Sequence, residues 1–369
     1  LCKEGELEKA IGALTRMHQY GFTPHENVFW SLLKACGEKK DVRLVRIVQE
    51  YLVRHDNVGF ASPILDYLVS ILAKCGDIEH ALYEFQRVKN RTVFSWTALI
   101  SAFTENGSYI EALEMYRNMK HDRVEPNEYT FVSILKACGS IPDLIEGKSL
   151  HADVLFKGFD SHVFVGSTLV SMYGKCGNIL DAYKVFSGLP ERNIVSWNAM
   201  LSAYAEQGEG EKALQLFEEL KGEGCVEPNE RTFVNLLQAF SMLADTEEAI
   251  RIDVGLVKLK CMERVETLYS DIQSKGFQFN VFVGNTLINM FGKCGNINRA
   301  ESIFFGMSDR TVISWTAMLS AYIDHGEVEK ALKLYIQMRW EEASPNEWTF
   351  AILFQACCML ADKEDMLVV

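Results

Sequence analysis

Ten cysteines and eight histidines are the residues of this 369-residue chain best suited to metal, redox or nucleophilic chemistry. Their placement argues against such a role. Cys75, Cys176 and Cys294 each sit in a KCG triplet, and Cys36, Cys138 and Cys357 each in an AC dipeptide. That spacing follows a long repeat of the sequence, not the short gaps of a zinc site. Free cysteines of this kind are usually small buried apolar residues in a reducing compartment. Disulfides and zinc are the minority readings. Cys357–Cys358 is a vicinal pair, too weak a sign alone for redox chemistry. The histidines are scattered, and no catalytic constellation forms, so an enzyme is the least supported class.

The repeat itself comes next. RTVFSWTALISAFTENGSYIEALEMYRNMKHDRVEPN (Arg91–Asn127) returns as RNIVSWNAMLSAYAEQGEGEKALQLFEELKGEGCVEPN (Arg192–Asn229) and as RTVISWTAMLSAYIDHGEVEKALKLYIQMRWEEASPN (Arg310–Asn346). Trp96, Trp197 and Trp315 stand 101 and then 118 residues apart, as do Gly76, Gly177 and Gly295. Each unit of 101 divides into motifs of 35, 35 and 31, such as 93–127, 128–162 and 163–193. The longer interval holds one extra residue before Asn229 and a 16-residue surplus, Asp245–Lys260. Ala244–Ile252 and Cys261–Phe277 both resemble the start of a second helix, and the sequence leaves open whether the surplus is a real insertion.

Each motif has an apolar segment, a turn (Gly107, Pro142, Gly177) and a second apolar segment. In the second segments Ala112, Leu113, Tyr116 and Met119 recur as Ala213, Leu214, Phe217, Leu220 and as Ala331, Leu332, Tyr335, Met338. Steps of three and four put them on one helical face. Segments such as TALISAF are apolar on more than one side, which suits a helix buried twice. Gly ends the first helix, and Pro126, Pro228 and Pro345 cannot continue the second. One helix pair cannot bury its apolar face alone, but a stack can. The expectation is all-α, a right-handed α-solenoid of tandem helix-turn-helix repeats forming one array over 1–369. Its motifs are 1–25 (partial), 26–61, 62–92, 93–127, 128–162, 163–193, 194–229, 230–280 with the insertion, 281–311, 312–346 and 347–369 (partial), with both ends truncated.

These residues resemble the pentatricopeptide repeat, and the 35–35–31 alternation resembles its plant-type subclass of P, L and S motifs. MYGKCGNILDAYKVFSGLPERN is similar to the S motif and FVSILKACGSIPDLIEGKSLHADVLFKGF to the L motif. The tetratricopeptide repeat would show a W-x2-L-G-x2-Y pattern that this chain lacks. The resemblance implies single-stranded RNA binding at about one base per motif, read through two or three side chains. By the family's usage the readers are the fifth and last residues of each motif. These are Thr97 with Asn127, Asn198 with Asn229 and Thr316 with Asn346 in the P motifs. In the S motifs they are Ser167 with Asn193 and Asn285 with Thr311. Thr or Ser with Asn implies adenine, and Asn with Asn a pyrimidine; Asn285 with Thr311 leans to pyrimidine. Asp66 with Thr92 departs from the pattern and is assigned no base. Trp30, Val132, Val234 and Ala351 hold the fifth place in the L motifs and cannot pair with a base edge. From Val93 onward the implied target is A-x-A-Y-x-Y-A, 5′ to 3′.

The second residues of the motifs, Phe94, Phe164, Val195, Phe282 and Ile313, would sandwich the bases, or else are simply core. Asn127, Asn193, Asn229 and Asn346 precede apolar segments and would also cap helices. His151 falls where the family commonly carries a structural His. No HxE with PCxxC is present, so the zinc deaminase that ends some members is not within this chain. No cofactor or metal is expected. The implied role is site recognition in organellar RNA processing, most often C-to-U editing, in mitochondrion or chloroplast. A recruited editing or processing enzyme would do the chemistry; neither DNA nor membrane is an expected partner, and the chain carries no transit peptide pattern. The alternative is a protein–protein scaffold.

The net charge of −13 counts against generic nucleic-acid binding, which lysine and arginine supply. Much of the acid lies in second segments such as Gly208–Gly224, so an outward-facing acidic layer would reconcile the two.

Overall fold

Described here is a computed structural model covering residues 7–20, 22, 24–54, 62–246, 250–252 and 255–367. The ends of the 26–61 motif and of both partial motifs therefore lie partly outside the described residues. The chain divides into two compact units, residues 1–176 and 177–369.

In the first unit the helices run α1 (Leu7–Gln19), α2 (Glu26–Lys39), α3 (Val42–Arg54), α4 (Ser62–Lys74), α5 (Ile78–Arg87), α6 (Val93–Glu105), α7 (Tyr109–His121), α8 (Glu128–Ser140), α9 (Leu144–Phe156) and α10 (Val163–Lys175). The second unit holds α11 (Ile179–Gly188), α12 (Ile194–Glu206), α13 (Gly210–Glu223), α14 (Glu230–Thr246), a hairpin of β1 (Ile250–Ile252) and β2 (Gly255–Val257), then α15 (Leu259–Ser274), α16 (Val281–Cys294), α17 (Ile297–Gly306), α18 (Val312–Asp324), α19 (Val328–Trp340) and α20 (Glu347–Leu367).

Within each unit the helices form two layers. The first helices make a continuous row: α2, α4, α6, α8 and α10 pack in succession, as do α12, α14, α16, α18 and α20. Second helices lean on the first helices beside them. This is the all-α tandem architecture that the periodicity requires, and it explains the apolar patterns. Leu99, Ile100, Leu201 and Leu319, on first helices, are fully buried between neighbours. Second helices bury one stripe, as α7 does with Ala112, Leu113, Tyr116 and Met119.

The SW landmark is structural. Trp96, Trp197 and Trp315 are buried edge-on against Phe85, Phe186 and Phe304, with centroids 4.6, 4.9 and 5.0 Å away. Burying such a side chain contributes about 2–3 kcal/mol. The arginine ahead of each helix covers the same pair: Arg192 lies 5.4 Å from both Phe186 and Trp197, and Arg91 and Arg310 repeat the stack. Each is held from the far side by an acid, Asp122, Glu223 or Glu341.

One turn expectation holds and one is refined. Gly107 does end α6, with φ +80° and Ser108 N–H donating to the Phe103 carbonyl at 2.9 Å. The second helices, however, stop before their prolines. Arg123 (φ +56°), Gly224 (φ +65°) and Glu342 (φ +57°) enter the left-handed region, and Val124 and Ala343 donate back to the Met119 and Met338 carbonyls at 3.1 Å. The proline follows a helix already closed.

Two further expectations are corrected. Within the all-α fold the surplus region holds a short hairpin, with Ile250↔Val257, Arg251↔Leu256 and Ile252↔Gly255 paired antiparallel. Ala244–Ile252 therefore does not start a second helix: α14 runs through Asp245 to Thr246, residues 250–252 are strand, and residues 247–249 lie outside the described residues. The β-branched isoleucines and valine favour the extended state once a partner strand is at hand. The surplus Asp245–Lys260 is thus divided between the end of α14, the hairpin and the start of α15. Finally, the cysteines are not all free: Cys261 in the first turn of α15 is disulfide-bonded to Cys294, the last residue of α16. The sequence repeat masked this pair, because Cys261 has no counterpart in the other motifs.

The array regains register after the hairpin. Lys221 pairs with Asp271 at 3.1 Å and Lys275 with Glu227, as Lys120 pairs with Asp153 at 2.6 Å and Lys157 with Glu125. Such exposed pairs add little energy. They do show that α15 sits on α13 as α9 sits on α7.

Candidate nucleic-acid interface

The first helices begin with their apolar second residues in solvent. Phe94 is 70% exposed and Phe282 74%, and Phe164, Val195 and Ile313 are exposed likewise. The core reading of these five is thereby overturned. A large apolar side chain left in water beside a helix start is available for stacking. Two residues in the same place escaped the sequence reading: Tyr129 at 66% and Trp348 at 73%, both second in an L motif. Arg231 holds that place in the next L motif and is also exposed. The signal is their register with Phe94 and Phe164, each being the second residue of its motif.

The residues expected to read bases lie at the same helix starts. Asn127 caps α8, its Oδ1 accepting from the Thr130 N–H and hydroxyl, both at 2.9 Å. Asn346 caps α20 through Thr349 in the same geometry. Asn193 caps α12, accepting from Val195 N–H at 2.9 Å and Ser196 N–H at 3.1 Å. In each, Oδ1 is committed to the helix, so the part left to face a ligand is the Nδ2 amide, a donor. Capping and presentation coexist in one side chain.

The fifth residues differ among themselves. Thr97 is half-buried and shares a 2.7 Å hydrogen bond with the Thr130 hydroxyl. Thr316 donates to the Val312 carbonyl at 2.6 Å. Ser167 is buried and donates to the Val163 carbonyl at 2.7 Å. Asn198 is buried, with Nδ2 donating to Asn229 Oδ1 at 3.1 Å. Asn285 carries a buried Oδ1 that no protein group satisfies among the described residues. Thr311 takes its place at the start of α18, with its N–H donating to Ser314 Oγ at 3.1 Å.

The departure at Asp66 has a structural cause. Its carboxylate is buried and accepts from both the N–H and the hydroxyl of Thr92, at 3.2 and 2.5 Å. Both oxygens are spent on holding the start of α6. In the L motifs, Trp30 stacks on Tyr67 with centroids 4.8 Å apart, while Val132 and Val234 are half-buried and Ala351 is exposed. Val132, Val234 and Ala351 offer no polar side-chain group.

One cavity brings these features together. A space of ≈450 Å³ exists on the second-helix side near Arg46 and His80, but the larger one, ≈620 Å³, opens on the first-helix row. Phe94, Thr97, Asn127 and Tyr129 line it, with Ser70 and Lys74 of α4 and Ser101 and Glu105 of α6. It thus has two exposed aromatic flanks, a hydroxyl and an amide donor in one concavity.

The acidic layer expected of the second segments is not uniform: α13 is acid-rich, with Glu211, Glu218, Glu219 and Glu223, whereas α3 carries Arg43 and Arg46 beside Glu50 and α19 carries Lys330, Lys333 and Arg339 beside Glu329. First helices are nearly free of charge except at their ends. Lys74 and Lys175 end α4 and α10 and are exposed, whereas Lys293 at the end of α16 is paired with Asp245 at 2.8 Å. Glu105, Glu206 and Asp324 hold the matching place on α6, α12 and α18. Among the described residues no group of three or more His, Cys, Asp or Glu is arranged to hold a metal, and no helix is long and apolar enough to cross a membrane. His151 bonds Tyr173 Oη through Nδ1 at 2.9 Å, a packing role.

Comparison with known proteins agrees with the repeat. The PPR repeat family profile matches residues 91–140, 192–242 and 310–359, and the PPR repeat profile matches 1–22, 167–194 and 285–312. The Arabidopsis thaliana pentatricopeptide repeat-containing protein At4g18520, chloroplastic, is 35% identical over 96% of this chain and 55% of its own length. CRR2, chloroplastic, and the putative protein At3g13770, mitochondrial, from the same plant are each 32% identical over 97% of this chain, and 52% and 54% of their own. The chain therefore spans about half the length of these relatives. Among solved structures, the pentatricopeptide repeat protein PPR10 in complex with an 18-nt psaJ RNA element matches with a TM-score of 0.74 at 19% identity, over 96% of this chain and 51% of that one, a likeness of fold. By its repeats, its helix pairs and these matches, the chain belongs to the pentatricopeptide repeat family.

Proposed function

We propose that this chain binds single-stranded RNA in a sequence-specific manner and serves as the site-recognition module of an organellar RNA-processing system. The observation that carries this reading is the cavity in which Phe94, Thr97, Asn127 and Tyr129 meet. A base entering it would stack between aromatic faces, each contact worth about 1–3 kcal/mol. Its Watson–Crick edge would meet the Asn127 amide, a donor by virtue of the cap. Adenine offers an acceptor at N1, whereas guanine N1–H and uracil N3–H would set donor against donor.

The same logic extends along the motifs in the P-L-S order, one base to each. Thr97/Asn127, Ser167/Asn193 and Thr316/Asn346 take adenine. Asn198/Asn229 and Asn285/Thr311 take a pyrimidine. The L motifs contribute stacking without readout. The target is A-x-A-Y-x-Y-A. Relatives named chloroplastic and mitochondrial support an organellar setting. Selection of a site for C-to-U editing, with the deaminating enzyme supplied by another domain or partner, is the role that suits a recognition module of this subclass.

Binding of the heptamer and of a scrambled heptamer, compared by gel shift, tests the reading. Preference for the ordered sequence is expected. Equal affinity would sink the readout, and binding to neither would favour a protein-binding scaffold.

A further inference from the structure

The third L motif differs from the first two at one corner. In the first two, the second helix is preceded by an aspartate, and a KCG cysteine stands near it: burial first, with Asp41 and Asp77 adding and Lys40 opposing, pushes the Cys75 thiol up, and burial with Asp143 does the same at Cys176. Cys138, of the AC dipeptide, is buried and donates to the Asp143 carbonyl at 3.3 Å. The third L motif has Phe240 where the AC cysteine would be. Its second helix, α15, instead places Cys261 against Cys294, where they are bonded with Cα atoms 6.1 Å apart, inside the usual disulfide range.

This corner is where the hairpin rejoins the repeat. The Lys258 N–H donates to the Cys294 carbonyl at 3.2 Å, Lys258 Nζ reaches the Ala244 carbonyl, and Lys293 pairs with Asp245 at 2.8 Å. The bond therefore fastens the entry to α15 onto the end of α16, the helix whose start carries Phe282 and Asn285.

We propose that Cys261 and Cys294 are a redox-reactive dithiol–disulfide pair that takes a low-molecular-weight disulfide as oxidant and a small dithiol as reductant, locking α15 to α16 when oxidised. In the forward direction one protein thiolate attacks a sulfur of the small disulfide and expels one small thiolate, leaving a mixed disulfide. The second protein thiolate then attacks the protein sulfur of that mixed disulfide and expels the other. The sum is two protein thiols and one small disulfide giving one protein disulfide and two small thiols. Both protein protons end on the expelled thiolates, and two electrons pass to the oxidant. Nothing in this proposal depends on RNA binding.

The test uses the full chain with Cys225→Ser, Cys357→Ser and Cys358→Ser, since those three thiols are exposed and would otherwise react. The protein is equilibrated in glutathione buffers from reduced to oxidised, quenched by alkylation and mapped by peptide mass spectrometry. The expected result is that the Cys261 and Cys294 peptides convert together into one linked peptide and separate again with a small dithiol, while Cys36, Cys138 and Cys176 remain unlinked. Free Cys261 and Cys294 in the most oxidised buffer, pairing of either with another cysteine, or a link that resists excess dithiol in the folded chain would each overturn it. Hydrogen exchange is the second readout: amides in the first turns of α15 should exchange about tenfold more slowly in the linked form. Equal exchange in both forms would overturn the lock.

Discussion

Asn198 donates from Nδ2 to Oδ1 of Asn229 at 3.1 Å, and the Thr232 hydroxyl, 2.8 Å from Asn198 Oδ1, closes the network. The two residues proposed to read one base are thus oriented by each other before any base arrives. The other P motifs carry threonine in the place of Asn198, so the fold accepts that residue there. Asn198→Thr should move the preference at the fourth base from pyrimidine to adenine, a change of about 1–3 kcal/mol in discrimination. Fluorescence anisotropy with heptamers differing only at that base measures it, and an unaltered preference would count against the pair as reader.

Asn127 both caps α8 and offers an amide, and two substitutions separate the roles. Asn127→Asp keeps the cap, since Asp caps as well as Asn, and stability should stay within about 0.5 kcal/mol. The carboxylate has no donor, so the first base of the target should shift toward guanine, whose edge donates. Asn127→Ala should lose about 1 kcal/mol of stability as well as the readout. Thermal melts beside binding curves distinguish the two. If Asn127→Asp leaves base preference untouched, the residue is a cap alone.

Phe94 and Tyr129 are 70% and 66% exposed, so truncating either should spare the fold. Phe94→Ala and Tyr129→Ala should each weaken RNA binding by about 1–3 kcal/mol with the melting temperature essentially unchanged. A large loss of stability without loss of affinity would return these residues to a packing role.

Lys74 is exposed at the rim of the same cavity and carries positive charge in an acidic protein. Lys74→Gln should weaken every RNA sequence alike, and the slope of log affinity against log salt should fall by about 0.7. Discrimination between ordered and scrambled heptamers should not change. Titrations at several salt concentrations provide both numbers.

Much of this molecule was legible locally. Helix periodicity and the SW, KCG and PN landmarks are short-range properties, and they place first helices at Val93, Glu128, Ile194 and Val312. The capping asparagines were legible for the same reason, since a cap bonds within three residues of itself. What the residues alone left open was the environment of each side chain. Phe94 and Phe131 are both aromatic residues of first helices. One is exposed and the other fully buried, because they face opposite sides of the helix row.

By itself, then, the sequence determined the repeat, its helices and the identity of the polar residues at each helix start. The tertiary structure decided which of these share a space. It set Tyr129 across the cavity from Phe94, turned Ile250–Ile252 into strand, closed the second helices at Arg123, Gly224 and Glu342, and joined Cys261 to Cys294. All but the helix ends rest on contacts between separate segments, and such contacts leave no mark on local periodicity. The helix ends turn on backbone dihedrals, which Arg and Glu do not announce as Gly does.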